Sequence, residues 1–444
     1  MNCVSCESEK KSGENPFFAE WTTPYGVPPF DEIRPEHFLP AFERGMSLHD
    51  AEIDAIATNN DDPTFENVIL AYDRSGAMLA QTELVFGMLC AAENNAKLQA
   101  LQEELMPRLA AHYDRILLDE RLFARIRDLY ERREALGLDA GQQRLLEKTY
   151  RRFVRAGALL DGEQKARLKE INGELALAAV RFGNNLLAEN NRFEMVVPKE
   201  RMGGLPNDVL EAAREAARER GKGDAALFTL HKPSMIPFLT YSSDRELRDS
   251  IYTAYLNRCN HGDEYDNKQL INNFIRLRTE KAHLLGYPSY AAYVVDDEMA
   301  CTTGAVYELL DGIWTPALER AKEELAEMEE LFRKDYPDGE FAASDWWYYA
   351  EKLRRQKYAL DESMLRPYFS LENVRSGIFF LANRLYGITF RPLVVPVYHP
   401  DVMAYEVLDA DETHLGVLYF DFFPRAGKSQ GAWCGNYVVQ TYEE

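Results

Sequence analysis

Apolar residues recur every three or four positions from about Pro40 to Arg192, and this spacing is typical of amphipathic helices. One apolar face contains Leu98, Leu101, Leu105, Leu109, His112 and Ile116, and the same stepping recurs at Ile171, Leu175, Ala178, Phe182 and Leu186. No sequence repeat of fixed length accompanies it, so a solenoid is not indicated. The pattern predicts an irregular bundle of long helices.

The helical spacing of apolar residues is interrupted at two places in the middle of the chain. Arg192–Pro198 and Leu227–His231 are predicted as short strands on either side of a helix, Asp208–Arg220, which Gly221 ends. Further along, Ala305–Tyr336 is predicted as one long helix with a kink at Pro316. Ser344 and Ser370 are predicted to cap the two helices that follow.

After Gly387 the chain becomes rich in β-branched and aromatic residues. Three strands are predicted there, with a hairpin turn at Asp409–Glu412: Ile388–Val397, Met403–Leu408 and Leu415–Phe423. The fold class is therefore mainly α, with a small β-sheet near the C-terminus.

Composition fits a globular protein, with 46% hydrophobic and 28% charged residues. The net charge of −22 argues against a nucleic-acid partner, because phosphate binding requires a concentrated basic surface. No run approaches the roughly 18 consecutive apolar residues of a membrane span.

The six cysteines are sparse, so no disulfide framework is expected. Val4-Ser5-Cys6 is similar to the end of a bacterial lipobox, and residues 1–14 then form a flexible leader or tether with Cys6 as a candidate lipidation site. This interpretation predicts the bacterial cell envelope or periplasm, with membrane contact only through the lipid anchor. A cytoplasmic location is the alternative.

Candidate metal and catalytic motifs are weak. None of the eight histidines stands in His-Glu-x-x-His, and the pair Glu280 and His283 lacks the second pair that a diiron bundle requires. Asp296–Glu298 is interpreted as a solvated turn rather than a cation site. Serine-hydrolase, P-loop and dinucleotide-binding motifs are absent from the sequence.

Two aromatic or small-residue stretches are candidates for contact with a peptide. The helix with Trp346, Trp347, Tyr348 and Tyr349 is suited to line a cleft, although core packing is favoured. Gly431, Ala432 and Trp433 follow a basic turn and are candidates for an edge strand, where small residues let an extended peptide approach the backbone. A simple bulge is the alternative.

Several segments in this order resemble the thimet-oligopeptidase-like zinc metallopeptidases, and most closely the bacterial peptidyl-dipeptidases. They include DPTFENVI (Asp62–Ile69), FVRAGALL (Phe153–Leu160), LRTEKAHLLGYPSYAAY (Leu277–Tyr293), VYHPDV (Val397–Val402) and YFDFFPRAGKSQGAW (Tyr419–Trp433).

This resemblance implies a two-lobed helical fold with a channel for short peptides, a zinc-activated water and release of C-terminal dipeptides. It also implies that Gly431–Trp433 pairs with substrate beside the zinc helix, and that the intact enzyme is a monomer. The sequence departs from the family pattern because it stops before the zinc motif. We therefore expect an incomplete fold, no catalytic residue and no metal ligand in this chain, no bound zinc and no activity from the chain alone.

The expected division is 1–14 as leader, 15–387 as the helical lobe or lobes forming the channel wall, and 388–444 as the β-rich start of the catalytic region. Uncovered apolar surface is expected to make the chain aggregate or to leave it unstable. The alternative function is a non-catalytic peptide-binding or scaffold protein of the same fold.

Overall fold

The computed structural model describes residues 15–223, 225–359 and 362–440. The chain divides into two compact units. Unit 1 comprises Met1–Gly173, Leu381–Lys428 and Trp433–Glu444, and unit 2 comprises Glu174–Phe380 and Ser429–Ala432. The prediction of a mainly helical chain with a small sheet near the C-terminus is confirmed. The predicted leader and the division at Gly387 stay predictions, and Cys6 lies outside the described residues.

Unit 1 begins with a run of helices from the first part of the chain. They are α1 (Pro35–Ala57), α2 (Ala71–Arg74), α3 (Ala77–Ala92), α4 (Ala96–Leu117), α5 (Glu120–Glu131) and α6 (Ala140–Arg155), followed by α7 (Gly162–Arg192), which continues into unit 2. A π-helical turn at Phe65–Leu70 precedes α2.

The apolar spacing of α1 decides which of its faces is buried. Phe38, Phe42 and Ile53 lie on the buried face, and the rings of Phe38 and Phe42 pack on Phe86 of α3 at centroid distances of 4.9 and 5.3 Å. A second cluster joins α5 and α6 through Leu122 and Phe153. Two apolar cores therefore hold the helices of unit 1 together.

The C-terminal strands form a three-stranded antiparallel sheet in unit 1. The order is β3 (Thr389–Pro392), β4 (Met403–Leu408) and β5 (His414–Phe420). The three predicted strands are confirmed: the first is shorter than predicted, the second has the predicted bounds, and the third begins one residue earlier and ends three residues earlier. The predicted hairpin turn is also present, because Asp409 N donates to Thr413 O at 2.8 Å.

An aromatic cluster ties this sheet to the start of the described chain. The ring of Phe30 lies 5.4 Å from that of Tyr398, 6.2 Å from that of Tyr419 and 5.1 Å from that of Tyr437. Phe30 is buried, so these edge-to-face contacts are part of the unit 1 core.

Unit 2 contains the middle of the chain. Its elements after α7 are β1 (Met195–Val197), α8 (Asn207–Glu219), β2 (Ala226–Phe228), α9 (Lys232–Tyr241), α10 (Arg245–Leu256), α11 (Lys268–Leu284), α12 (Tyr290–Val295), α13 (Thr303–Asp335), α14 (Trp346–Tyr358), α15 (Glu362–Leu365) and α16 (Leu371–Tyr386), which ends in unit 1. The predicted pair of short strands is confirmed, since β1 and β2 pair antiparallel.

A buried ion pair fixes α10 against the start of α14. Arg248 is fully buried, and its Nη2 donates to Asp345 Oδ1 at 2.8 Å, while Arg245 binds the same carboxylate.

The predicted cap at Ser344 is wrong, because the Ser344 hydroxyl donates to Asp249 at 2.9 Å and Asp345 holds the N-cap position. The cap at Ser370 is confirmed by its bond from Asn373 N.

One helical stretch, Phe65–Ala92, is long and apolar enough to cross a membrane when judged by length and composition alone. The stretch is not a run of consecutive apolar residues, since it contains Glu66, Asp73, Arg74 and Glu83. Val68, Ile69, Leu79 and Val85 from this stretch are fully buried in the cores of unit 1, which accounts for its apolar character.

The first half of α13 presents apolar side chains to solvent. Tyr307 is 64% exposed, Leu310 52% and Trp314 63%, and helical spacing places them on one side of the helix. A contiguous apolar patch of this kind favours association with other apolar surfaces.

We predict that Trp314→Glu reduces self-association of the chain. Burying such a ring between copies contributes about 2 kcal/mol, so the substitution should weaken association roughly thirtyfold in sedimentation velocity runs. Thr315→Glu adds the same charge to the polar side of α13 and is the matched control. Equal effects of both substitutions would show that net charge, and not the apolar face, governs association.

Candidate functional site

The candidate site is built around the end of β5 and the turn that follows it. Because the sheet order is β3-β4-β5, β5 lies at an edge, and within the described part of the chain no strand pairs with its other side. Asp421 comes directly after β5 and begins the turn that contains Arg425 and Lys428.

Asp421 is the centre of a hydrogen-bonded charge cluster. Arg425 Nη1 and Nη2 donate to its two carboxylate oxygens at 2.9 and 2.8 Å, and Tyr398 OH donates to Oδ2 at 3.0 Å. Lys428 Nζ lies 2.9 Å from Oδ1 and also donates to the main-chain oxygens of Asp421 and Phe423 at 2.7 and 3.1 Å. The turn is therefore closed by side chains within seven residues of one another.

Electrostatics keeps this carboxylate ionised. Burial alone would raise the pKa of Asp421, but hydrogen bonds from Arg425, Lys428 and Tyr398 more than offset it and lower the pKa to about 2. Arg425 also forms an ion pair with Glu93, from the loop between α3 and α4. Arg425 and Lys428 are therefore both already paired with carboxylates, so the turn is not an anion-binding site. We call Asp421, Arg425, Lys428, Tyr398 and Glu93 the clamp, because their contacts hold the turn closed.

The clamp also brings two stretches of backbone together. Asn94 N donates to Gly427 O at 2.8 Å, and a Cβ on Gly427 would lie 2.6 Å from Asn94 O. Only glycine fits this approach without a shift of the main chain. The turn after β5 is therefore held against the α3–α4 loop within unit 1.

Gly431, Ala432 and Trp433 lie beyond the clamp and outside the strands of the described sheet. Gly431 has a φ of +99°, which other residues rarely adopt, and Trp433 is 37% exposed. β5, one of the two edges of the described three-stranded sheet, ends at Phe420, before this segment. A role for Gly431–Trp433 in peptide binding stays a prediction.

The aromatic residues of α14 are divided between core and surface. Tyr349 is fully buried, the Trp347 ring packs on Tyr252 at 5.9 Å, and Tyr348 lies under the Arg248 guanidinium at 4.2 Å. Trp346 is 36% exposed. Core packing therefore accounts for most of this group.

Within the described residues, no group of three or more His, Cys, Asp or Glu side chains is arranged to hold a metal ion. Glu280 lies near Arg276, with 3.7 Å between their charged atoms, and Tyr287 OH donates to Asp296 at 3.0 Å. The described residues do not fit a zinc site, and no step of metal-assisted hydrolysis is assigned to them.

The sequence pattern did not predict that two distant residues belong to the clamp. Tyr398 and Glu93 are distant from Asp421 in the chain, so no local pattern pointed to them. The spacing of Asp421 and Arg425, four residues apart, was the one available signal.

Comparison with known proteins shows a similarity to one peptidase family. Residues 238–443 match Peptidase family M3. The matched region includes α10–α16, the C-terminal sheet, the turn with Asp421, Arg425 and Lys428, and Gly431–Trp433.

The similarity to proteins named as peptidases extends over nearly the whole chain. The chain is 39% identical over 430 residues to dipeptidyl carboxypeptidase of Salmonella typhimurium and 40% identical over 432 residues to that of Escherichia coli, covering 96% of this chain in both cases. It is 28% identical over 424 residues to oligopeptidase A of Escherichia coli, covering 94% of this chain. The chain spans 62–63% of the length of these relatives.

We predict that Asp421→Asn destabilises unit 1 by about 3 kcal/mol, because it removes the carboxylate partner of the largely buried Lys428 and leaves Arg425 with Glu93 alone. Since the folded pKa is depressed from 3.8 to about 2, the stabilisation is complete above about pH 4 and is lost as the pH falls through about 2.

Urea unfolding at pH 7 measures the difference. Glu412→Gln is the control, since Glu412 pairs with Arg391 on the surface and exposed pairs contribute little. Equal stability of Asp421→Asn and Glu412→Gln would contradict the assignment of the clamp.

Proposed function

We propose that this chain is the N-terminal scaffold of a zinc peptidase that removes dipeptides from the C-termini of short peptides. The observation that carries the proposal is the difference in identity between two groups of relatives. The two proteins named dipeptidyl carboxypeptidase are 39% and 40% identical to this chain, whereas oligopeptidase A of Escherichia coli is 28% identical over a similar span.

Zinc enters the proposal as a group held outside this sequence. When bound, it would lower the pKa of a water molecule and polarise the scissile carbonyl. The residues of this chain would contribute binding surface, by presenting a β-edge to which an extended peptide can add as a further strand. Asp421, Arg425 and Lys428 would hold the chain in position just after that edge.

The β-edge is suited to this role on physical grounds. β5 pairs with β4 on one side, with a bulge at Val407/Leu408, and Lys428 binds the main-chain oxygen of Asp421 directly after the strand. Backbone groups on its other side would supply affinity without selecting particular side chains, as an enzyme acting on varied peptides requires.

A non-catalytic peptide-binding or scaffold protein is the second candidate. The absence of a fitted metal site among the described residues is compatible with it. In this case the chain would bind peptides and release them unchanged.

Location and assembly are part of the proposal. A lipid on Cys6 would attach the protein to the bacterial cell envelope, facing peptides in the periplasm. Without that modification the protein would act in the cytoplasm. The intact enzyme would be a monomer.

A chimera tests the catalytic proposal. We predict that this chain, joined to the part of the Escherichia coli dipeptidyl carboxypeptidase that the match leaves out, releases a dipeptide from an N-acetylated tetrapeptide with a free C-terminus. Amidation of that C-terminus should lower the rate by at least tenfold, since a carboxylate-binding group loses its charged partner.

The 444-residue chain alone should show no hydrolysis in the same assay. A folded chimera that cleaves both substrates equally would favour an oligopeptidase. A folded chimera without activity would overturn the proposal.

Peptide binding is tested on the chain itself by fluorescence anisotropy of a labelled tetrapeptide. We predict that Trp433→Ala weakens binding roughly tenfold, because loss of a large aromatic contact costs about 1–2 kcal/mol. Trp346→Ala is the matched control, since Trp346 has nearly the same exposure, 36% against 37%. If only Trp346→Ala weakened binding, α14 would be the peptide surface instead.

A further inference from the structure

Two histidines are buried side by side in unit 1. His49 on α1 and His112 on α4 are 6% and 0% exposed, and His49 Nδ1 lies 3.1 Å from His112 Nε2. By its spacing, His112 lies on the apolar face of α4, like a residue of the core. A bond between two imidazoles instead requires a defined proton on each ring.

The neighbouring groups determine where those protons lie. The Ser75 hydroxyl donates to Tyr72 O at 2.7 Å, so Ser75 Oγ accepts from His49 Nε2 at 3.2 Å. His49 Nδ1 is then unprotonated and accepts from His112 Nε2. His112 Nδ1 in turn accepts from Arg115 Nη2 at 3.0 Å, since a guanidinium can only donate. Both histidines are therefore neutral, with the proton on Nε2.

The surroundings keep the pair neutral at ordinary pH. Burial lowers the pKa of His49, and burial lowers the pKa of His112 to about 4. Asp50 and Glu52 on α1 oppose this shift, whereas Arg115 on α4 and Arg152 on α6 add to it.

A tyrosine of α4 covers another side of the pair. The Tyr113 ring packs on both imidazoles, at 6.2 Å from His49 and 5.4 Å from His112, and its hydroxyl donates to Glu83 of α3 at 2.5 Å. Burial raises the pKa of Glu83. The Glu83 carboxylate is thus engaged with Tyr113 and does not contact either imidazole.

The turn before α3 depends on this arrangement. Gly76 N donates to Glu52 Oε2 at 2.7 Å, and Gly76 has a φ of +74°. A Cβ at Gly76 would lie 2.8 Å from His49 Nδ1, so the turn rests directly on the imidazole ring. The histidine pair therefore holds together α1, α4 and the turn at Ser75–Gly76.

The Asp50 carboxylate lies beside the histidine pair and can accept a hydrogen bond from His112. Asp50 Oδ1 lies 3.3 Å from His112 Nδ1, while Asp50 Oδ2 accepts from Arg115 at 2.6 Å. Asp50 is 44% exposed, so water reaches this side of the cluster. A proton arriving at His112 Nδ1 would replace the bond from Arg115 by a charged bond to Asp50.

We propose that His49 and His112 form an acid-operated latch within unit 1. The first proton binds His112 Nδ1 and leaves the bond from His112 Nε2 to His49 Nδ1 intact. The second proton binds His49 Nδ1, where two N–H groups then face each other, and the contact between α1, α4 and the Ser75–Gly76 turn opens. No covalent bond changes, and opening takes up two protons.

The direction of the pH effect follows from the lowered pKa values. The latch is fully closed above pH 6.5, the ordinary histidine value, and weakens as the pH falls towards the folded pKa of about 4 for His112. With two protons taken up, the opening equilibrium should rise by up to about 100-fold per pH unit in this range. One proton would give about 10-fold.

Hydrogen exchange of the 444-residue chain, corrected for intrinsic exchange and followed by mass spectrometry from pH 7.5 to 4.5, measures this slope for peptides covering the Ser75–Gly76 turn. His112→Gln keeps an amide that donates to His49 and removes one proton site, so the slope should fall to about 10-fold or less. The control is His283→Gln, an exposed histidine on α11, which should leave the slope unchanged.

Two further measurements keep the test independent of folding defects. Asp50→Asn removes the carboxylate that raises the pKa of His112 in the closed latch, so the increase in opening should extend to lower pH before it levels off. Imidazole nitrogen NMR at pH 7.5 should show both histidines with the proton on Nε2. A proton on Nδ1 of either ring, or a slope that His112→Gln does not change, would overturn the proposal.

Discussion

The aromatic contacts of Phe30 are the interaction on which unit 1 depends. Its ring meets Tyr398, Tyr419 and Tyr437, so residues near the start of the described chain complete a core with residues near its end. Each such ring pair contributes about 0.5–1.5 kcal/mol beyond the area it buries. The C-terminal sheet is small, and this contact with the N-terminal segment gives it a buried face.

Both units also enclose charged side chains, and each charge has a defined partner. In unit 2 the Arg248 guanidinium binds Asp345, and in unit 1 Asp421 binds Arg425 and Lys428. Buried pairs of this kind add little net free energy compared with apolar residues of the same size. They do restrict the geometry, because a displaced partner would leave a charge without compensation. We therefore regard them as determinants of how α10 meets α14 and how the chain leaves β5.

Local pattern was sufficient to predict most elements but few of their contacts. The helical periodicity and the three C-terminal strands were readable because each is set by spacing within a few residues. Ser344 was misassigned as a cap because the arginine that binds Asp345 is 97 residues away. The bond between His49 and His112 crosses 63 residues and has no sequence signature. The structure adds β5 as an edge of the sheet, which the pattern did not indicate, since strand pairing depends on neighbours that the sequence pattern does not specify.

The discontinuity of unit 1 has a consequence for biosynthesis. Unit 2 is inserted between its two main parts, so Phe30 leaves the ribosome about 370 residues before Tyr398. At translation rates of roughly 5–20 residues per second, this delay is about 20–70 s. During that interval the N-terminal helices lack the strands that complete their core. The nascent N-terminal helices therefore expose apolar surface until Tyr398, Tyr419 and Tyr437 have emerged.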